Sequence, residues 1–382
     1  MPAEDESRAG PGVDASRLLL IAGAGILGAW LYHRNRPPLP TSTTMSGRVC
    51  VVTGANAGIG KATATALAQK GAHVVLACRS QKKCAAACED IRRKVPGATL
   101  ETLPLDLSSV ESIRGFVDLF RKTRLPLHVL VNNAEGIIPA KPVLVRGMEQ
   151  SMVVNHLGPF LLTHLLLPDL RKSAAAGPTP PAESGDEKAG TGRASRIVNV
   201  GSRLEKRGSL WAAEESKAGR SVAPGPRWFE PPPGKEHSPF GLYGSSKLCN
   251  MLFTFELDRR LGAAQQAAPA KEGRGTDSEG AVTVKVVTPG LVNTKLGNGT
   301  SPWLTWAATP LKALVMRTVE KGAETVVWAA TSPEAEALGG GNFFGDMKEV
   351  ECSETSKDEV LARQLWEASE VASGLEESER VV

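Results

Sequence analysis

The most constraining feature of this chain is a glycine-rich turn set between a strand and a helix. Arg48-Val-Cys-Val-Val-Thr53 is a short apolar run rich in β-branched residues. Gly54-Ala-Asn-Ala-Gly58-Ile-Gly60 follows at once, and residues 61–70 are alanine-rich and helical in pattern. Such a turn lets backbone N–H groups and the positive end of a helix approach a pyrophosphate without Cβ interference. The spacing is G-x-x-x-G-x-G, not the G-x-G-x-x-G fingerprint, and a glycine turn can be plain punctuation. Its place between strand and helix favours the phosphate site.

The alternation continues downstream. A strand at 73–77 ends in Cys78-Arg79, a helix covers 81–94, a strand 99–103, a helix 109–122 and a strand 127–131. This pattern predicts an α/β fold, a single doubly wound parallel sheet with helices on both faces. An acidic residue at the end of the second strand would bind a ribose 2′-hydroxyl. Here Arg79 can pair with a 2′-phosphate instead, which favours NADP(H) over NAD(H). Asp106, in Asp106-Leu107-Ser108, reads equally as a partner of the adenine amino group or as the cap of the next helix. Asn132-Asn133-Ala134 closes the fourth strand, where asparagine amides can bridge strand ends and the cofactor ribose.

The second half carries the acid/base chemistry. A helix at 147–170 holds Asn155 on an otherwise apolar surface, and a buried asparagine is costly unless hydrogen-bonded. His156 and His164, on the same helix, read as structural. The strand 196–200 delivers Ser202 to a carboxyl end of the sheet, where ligands of open α/β folds bind. In Tyr243-Gly-Ser-Ser-Lys247, the two polar side chains lie one helical turn apart. There the ammonium of Lys247 can favour the phenolate of Tyr243 and lower its pKa from about 10, giving an acid/base group near neutral pH. Only two tyrosines are present, and Tyr32 lies in an apolar N-terminal run.

Thr53-Gly54-x-x-x-Gly58-Ile59-Gly60, Asn132-Asn133-Ala134, Asn155, Ser202, Tyr243-x-x-x-Lys247 and Pro289-Gly290, in this order, resemble a classical short-chain dehydrogenase/reductase across roughly 47–346. Ala77-Cys78-Arg79, Asn155-His-Leu-Gly-Pro-Phe160 and Leu365-Trp366 resemble its membrane-associated retinol dehydrogenase group. The resemblance implies a Rossmann-like sheet and hydride transfer between a nicotinamide and a lipophilic alcohol or carbonyl substrate, retinol/retinal-like or another lipid aldehyde or ketone. Tyr243 would be the general acid/base, Ser202 would polarise the substrate oxygen, Lys247 would tune Tyr243 and hold the nicotinamide ribose, and Asn155 would fix a relay water. Gly54, Asn56, Gly58, Ile59 and Gly60 would cradle the pyrophosphate, and Arg79, Asp106, Asn132 and Ala134 would line the adenosine side. Pro289, Gly290, Val292 and Thr294 would bound the nicotinamide. The family's helix pairing makes a homodimer an expectation. The pattern departs from the family at Glu135, where glycine is usual. A carboxylate there clashes with a phosphate-rich cofactor unless it turns outward, and it supports an alternative reading as a non-catalytic nucleotide-sensing or scaffold protein.

Outside this core, residues 1–45 contain an uncharged apolar run at 18–32, followed by arginines and a proline-rich linker. The run reads first as a short membrane anchor or membrane-dipping helix, with Trp30 and Tyr32 placed as interfacial aromatics, and otherwise as a cleaved signal peptide or a plain apolar tail. Arg34, Arg36 and Arg48 would leave the catalytic domain on the cytosolic side of an endoplasmic reticulum or other organelle membrane. The dehydrogenase domain is expected over 46–350, with inserted loops at 173–195, 203–241 and 262–280, and a C-terminal helix and mobile tail over 351–382. Six cysteines and a net charge of +4 give no disulfide framework, no metal site and no basic stripe for nucleic acid. The cysteine usage reads as a reducing compartment.

Overall fold

A computed structural model describes residues 28, 43–135, 138, 141–176, 194–220, 222–231, 238–267, 281–292 and 316–380. Seven parallel strands, β1 (Val49–Thr53), β2 (His73–Cys78), β3 (Leu100–Pro104), β4 (Val129–Asn132), β7 (Ser195–Val200), β8 (Val282–Thr288) and β9 (Phe343–Gly345), form one sheet with an antiparallel edge strand, β10 (Lys348–Glu349). Their order, β3-β2-β1-β4-β7-β8-β9-β10, reverses direction between β1 and β4. That reversal opens a crevice at the carboxyl ends of the strands, the usual ligand site of such sheets. A small hairpin, β5 (Leu144–Val145) with β6 (Met148–Glu149), stands apart.

The period of two along each strand divides the core between the two faces of the sheet. Cys50 and Val52 of β1 pack with Leu67 of α1 (Gly58–Gln69), Ile91 of α2 (Gln81–Lys94) and Val326 of a later helix, α7 (Val319–Thr331). Val49 and Val51 face the other way, toward Phe116 and Phe120 of α3 (Val110–Lys122), Phe160 of α4 (Gly158–Ala175) and Phe253 of α6 (Pro239–Ala267). The alternation expected over 73–131 is present, with element ends shifted by a residue or two.

Four expectations are corrected. The predicted helix at 147–170 starts instead as β6 and a short turn at Gln150–Met152, then widens into a π-helical stretch, Val153–Leu157, before α4 begins. The stretch expected as a loop over 203–241 holds a 3₁₀ turn (Arg203–Arg207), α5 (Trp211–Lys217) and a second 3₁₀ turn (Pro226–Phe229). Residues 203–220 and 222–231 of it are held in place because Leu210, Ala212, Trp228 and Phe229 bury their side chains against Met152 and Leu248. The helices flanking the loops at 173–195 and 262–280 run into them, α4 to Ala175 and α6 to Ala267. Finally, residues 374–380 of the tail are tied down, with Arg114 paired to Glu379 and its guanidinium donating to the carbonyl of Gly374 at 3.0 Å.

A short helix, α8 (Pro333–Ala337), follows α7, and the C-terminal helix α9 (Glu359–Ser373) is part of the core. Leu361, Leu365, Ala368 and Ala372 pack with α6 and with the π-helical stretch, and Trp366 sits against Phe160 and Phe253. Cys78 and Cys84 are joined as a disulfide, a bridge the cysteine spacing gave no reason to expect, while Cys50, Cys88, Cys249 and Cys352 are free. Apart from Gly28, the apolar run at 18–32 lies outside the described residues. Among those residues no helix is long and apolar enough to cross a membrane.

Candidate active site

The glycine turn is built by close approach. Gly54 has φ +66°, and a Cβ there would lie 2.8 Å from the Cα of Ala134. At Gly60 a Cβ would meet the Asn133 amide at 2.4 Å and the carbonyl of Gly54 at 2.6 Å. No side chain fits at either place. Helix α1 then opens behind Ala57 with no side-chain cap and no acidic residue in its first turn. The N–H groups of that turn lack a side-chain acceptor, and the local field favours an anion.

A network of side chains braces this turn. Thr53 Oγ1 accepts from the backbone N–H groups of Asn133 (3.0 Å) and Ala134 (2.9 Å), and the Asn133 amide donates to the carbonyl of Thr53 at 2.9 Å. The Asn132 amide points across the sheet, to Asn199 Oδ1 at 2.9 Å and Thr163 Oγ1 at 3.0 Å, and Asn199 in turn donates to Thr254 at 2.9 Å. Asn199, Thr163 and Thr254 were not singled out from the sequence, although an asparagine inside the buried run Ile197-Val-Asn-Val200 is the kind of residue that needs a partner.

Asp106 is not the cap of α3. Its Oδ1 accepts from Ser108 N (2.9 Å) and Ser108 Oγ (2.6 Å), and Ser109 caps α3. Arg79 is exposed just past the end of β2. Ser202 lies just beyond β7, where its Oγ accepts from Leu204 N at 3.2 Å. Gly290 and Val292 follow β8, and Val292 bridges to Arg317, which is paired with Asp346. Thr294 lies outside the described residues. His156 and His164 are buried beside Ser369 and the carbonyl of Phe160, and burial lowers their pKa values to about 3 and about 4.

Tyr243 and Lys247 share one face of α6, with the ammonium 5.4 Å from the phenol ring centre. Both are buried, at 4% and 1% exposure. Lys247 Nζ donates to the carbonyl of Val200 at 2.8 Å and to Glu135 Oε1 at 2.5 Å. Tyr243 Oη donates to Glu135 Oε2 at 2.8 Å. One carboxylate therefore sits between phenol and ammonium, which corrects the expected tuning of Tyr243. Burial raises the tyrosine pKa well above its usual range, and the charge and hydrogen bond of Glu135 push it further the same way. Asn155, in the π-helical stretch, donates to Ser246 Oγ at 3.0 Å, one residue from Lys247. Such a widened turn is a frequent mark of a functional position.

The stretch between Ser202 and Tyr243 also walls a cavity of about 140 Å³, lined by Met152, Leu210, Trp211, Trp228, Leu242 and Ser245 among others. It lies beside the start of α6, and Tyr243 is not part of its lining.

Residues 48–178 match the family model described as short chain dehydrogenase. Polyprenol dehydrogenase of Mus musculus is 37% identical over 332 residues, which span 87% of this chain and 84% of that one. The chain belongs to the short-chain dehydrogenase family. Two further relatives of this short-chain dehydrogenase place it in the retinol dehydrogenase group. Homo sapiens retinol dehydrogenase 14 is 34% identical, covering 87% of this chain and 88% of its own. Homo sapiens retinol dehydrogenase 11 is 36% identical, covering 86% and 87%. Among solved structures, an uncharacterised protein from Mycobacterium paratuberculosis superposes with a TM-score of 0.59 at 28% identity, over 90% of this chain and 97% of that one. The Pseudomonas aeruginosa RhlG/NADP complex gives 0.55 at 21% identity over 80% and 97%, a likeness of fold. As a short-chain dehydrogenase the chain is an oxidoreductase of a family that binds NAD(P). The uncapped start of α1 and the Cβ-free turn beside it fit the pyrophosphate of such a cofactor.

Proposed function

We propose that this short-chain dehydrogenase is NADP(H)-dependent, moves hydride between the nicotinamide and a lipophilic alcohol or carbonyl compound, and uses Tyr243 as general acid/base. The observation that carries the reading is the pairing of Tyr243 with Lys247, buried on one face of α6. The cofactor supplies the hydride. The chain supplies position and proton handling. In reduction Tyr243 Oη gives its proton to the substrate oxygen, and in oxidation it takes one. Lys247, anchored by the carbonyl of Val200, holds the nicotinamide ribose and stabilises the phenolate. Ser202 donates to the reacting oxygen, and Asn155 steadies the backbone and solvent path behind Lys247.

Arg79 supports NADP(H), because it stands exposed where a carboxylate would repel a 2′-phosphate. Arg79, Asp106, Asn132 and Ala134 serve the adenosine side, Gly54, Asn56, Gly58, Ile59 and Gly60 the pyrophosphate, and Pro289, Gly290, Val292 and Thr294 the nicotinamide. The relatives' names, polyprenol dehydrogenase and retinol dehydrogenase, support a lipophilic substrate. The apolar run at 18–32 supports attachment to an organelle membrane with the catalytic domain in the cytosol. Homodimer formation would have to use surface other than the part of α6 that α9 covers.

One observation favours the alternative, a nucleotide-sensing or scaffold protein without turnover: Glu135 occupies both members of the catalytic pair. Titration with NADPH and NADH, followed by turnover of retinal and aliphatic aldehydes, separates the two readings. The expected result is tighter NADPH binding and a rate that falls by about 10³-fold in Tyr243→Phe. Nucleotide binding with no turnover on any lipophilic carbonyl would favour the sensing reading.

A further inference from the structure

We propose that Glu135 is a built-in plug of the catalytic pair, which must turn out of the site before Tyr243 and Lys247 can engage cofactor and substrate. The inference rests on the function proposed above and adds the step that precedes it. Both oxygens of the Glu135 carboxylate are committed, Oε2 to the phenol at 2.8 Å and Oε1 to the ammonium at 2.5 Å. The phenol's one O–H is taken by an acceptor of the chain's own, which also holds one of the ammonium's three N–H donors, so a substrate oxygen that needs the tyrosine proton must displace the carboxylate.

The three groups differ in their access to water. The side chains of Lys247 and Glu135 are 1% and 17% exposed, and Tyr243 is 4% exposed. Glu135 is thus the member with a path outward. Its backbone does not have to travel, because Ala134 N is held by Thr53 Oγ1 at 2.9 Å immediately before it. Rotation of one side chain opens the pair, and Lys247 keeps the carbonyl of Val200 as an anchor.

The electrostatics run the same way. The charged groups set against Tyr243 are the Glu135 carboxylate at its hydroxyl and the Lys247 ammonium over its ring; Ser246, Asn155 and the Val200 carbonyl nearby are neutral. With the carboxylate in place a phenolate would face a second negative charge, and the phenol holds its proton. With the carboxylate turned out, the ammonium is the remaining charge and favours the phenolate. Nucleotide arrival and activation of the acid/base thereby become one event.

The test uses the full chain labelled with ¹³C at the tyrosine Cζ, which yields signals from two tyrosines, Tyr32→Phe identifying that of Tyr243. Glu135→Gln keeps size and one acceptor oxygen while removing the charge, and Glu135→Gly removes the side chain altogether. The expected result is a Tyr243 ionisation lower by about one pH unit or more in both variants, with NADPH binding, read by protein fluorescence, tightened about tenfold. An unchanged ionisation overturns the plug, as does NADPH binding equal to or weaker than that of the parent chain. Failure of the underlying function looks different: neither parent nor variants would bind NADPH, whatever the tyrosine signal does.

Discussion

Lys247 and Lys285 are buried to the same depth, each about 1% exposed, yet they sit in opposite circumstances. Lys247, at the carboxyl end of the sheet, has two acceptors within 2.8 Å and an aromatic face beside it. Lys285, in the middle of β8, has no hydrogen-bond partner for its Nζ among the described residues. Burial, then the charge of Arg196, lowers the Lys285 pKa from 10.5 to about 8, and Asp258 and Glu336 only partly offset this. The difference lies in the supply of acceptors. Where the fold provides them, a buried ammonium becomes an instrument of the site; where it does not, the cation weighs on the folded state.

The comparison is broken most directly at its functional end. Lys247→Met leaves Tyr243 facing Glu135 with no cation beside the pair, and turnover at saturating NADPH is expected to fall by about 10³-fold or more. Initial rates that stay within about tenfold of the parent's would remove Lys247 from the mechanism. At the other end, Lys285→Met should leave kcat/KM unchanged and raise stability by about 1–3 kcal/mol, since an unsatisfied buried cation is replaced by an apolar side chain of similar length. Urea unfolding measures this, and a loss of stability would mean that the ammonium has a partner worth keeping.

The smallest effect sharpens the contrast through pH. The folded pKa of Lys285 is about 8 and its ordinary value 10.5. Between these values the folded chain binds fewer protons than the unfolded one, so stability attributable to Lys285 rises as pH rises through this window. The stability gap between Lys285→Met and the parent is therefore expected to shrink from pH 8 to pH 10, by on the order of 1 kcal/mol. A constant gap across that range would mean that Lys285 stays charged inside the sheet.

Much of this was legible from local pattern. The strand, glycine turn and helix over 48–70, the alternation that follows, and the one-turn spacing of Tyr243 and Lys247 are short-range signals, and the described structure keeps them. Glu135 was visible as an oddity after Asn132-Asn133-Ala134, but its destination was not. It meets Tyr243 from 108 residues away, and that contact reverses the direction in which the tyrosine is tuned. The stretch 203–241 looked like a loop because its prolines and glycines dominate the local signal. The helical turns at 203–217 and 226–229 are held by Trp228, Phe229 and Leu210 finding a distant apolar surface, which no local window contains. Asp106 was ambiguous between a helix cap and a partner of the adenine; the cap proves to be Ser109, while Asp106 closes a turn on Ser108.

The aromatic cluster around Trp366 has a consequence for how the chain reaches this state. Trp366 packs against Phe160 at 5.2 Å, His164 at 4.9 Å and Phe253 at 5.9 Å between ring centres, with Arg260 stacked over it at 4.3 Å. Phe160 precedes it by about 200 residues, so this contact closes one of the longest loops in the molecule. The strands on the nucleotide side pair with near neighbours in sequence, β1 with β2 and β2 with β3, and such short closures form first. The face of α4 and α6 that carries Phe160 and Phe253 must then wait, greasy and uncovered, until α9 arrives. Folding is thus expected to pass through a species with a formed nucleotide half and an open aromatic flank, the interval in which this chain is most exposed to aggregation and to chaperone capture.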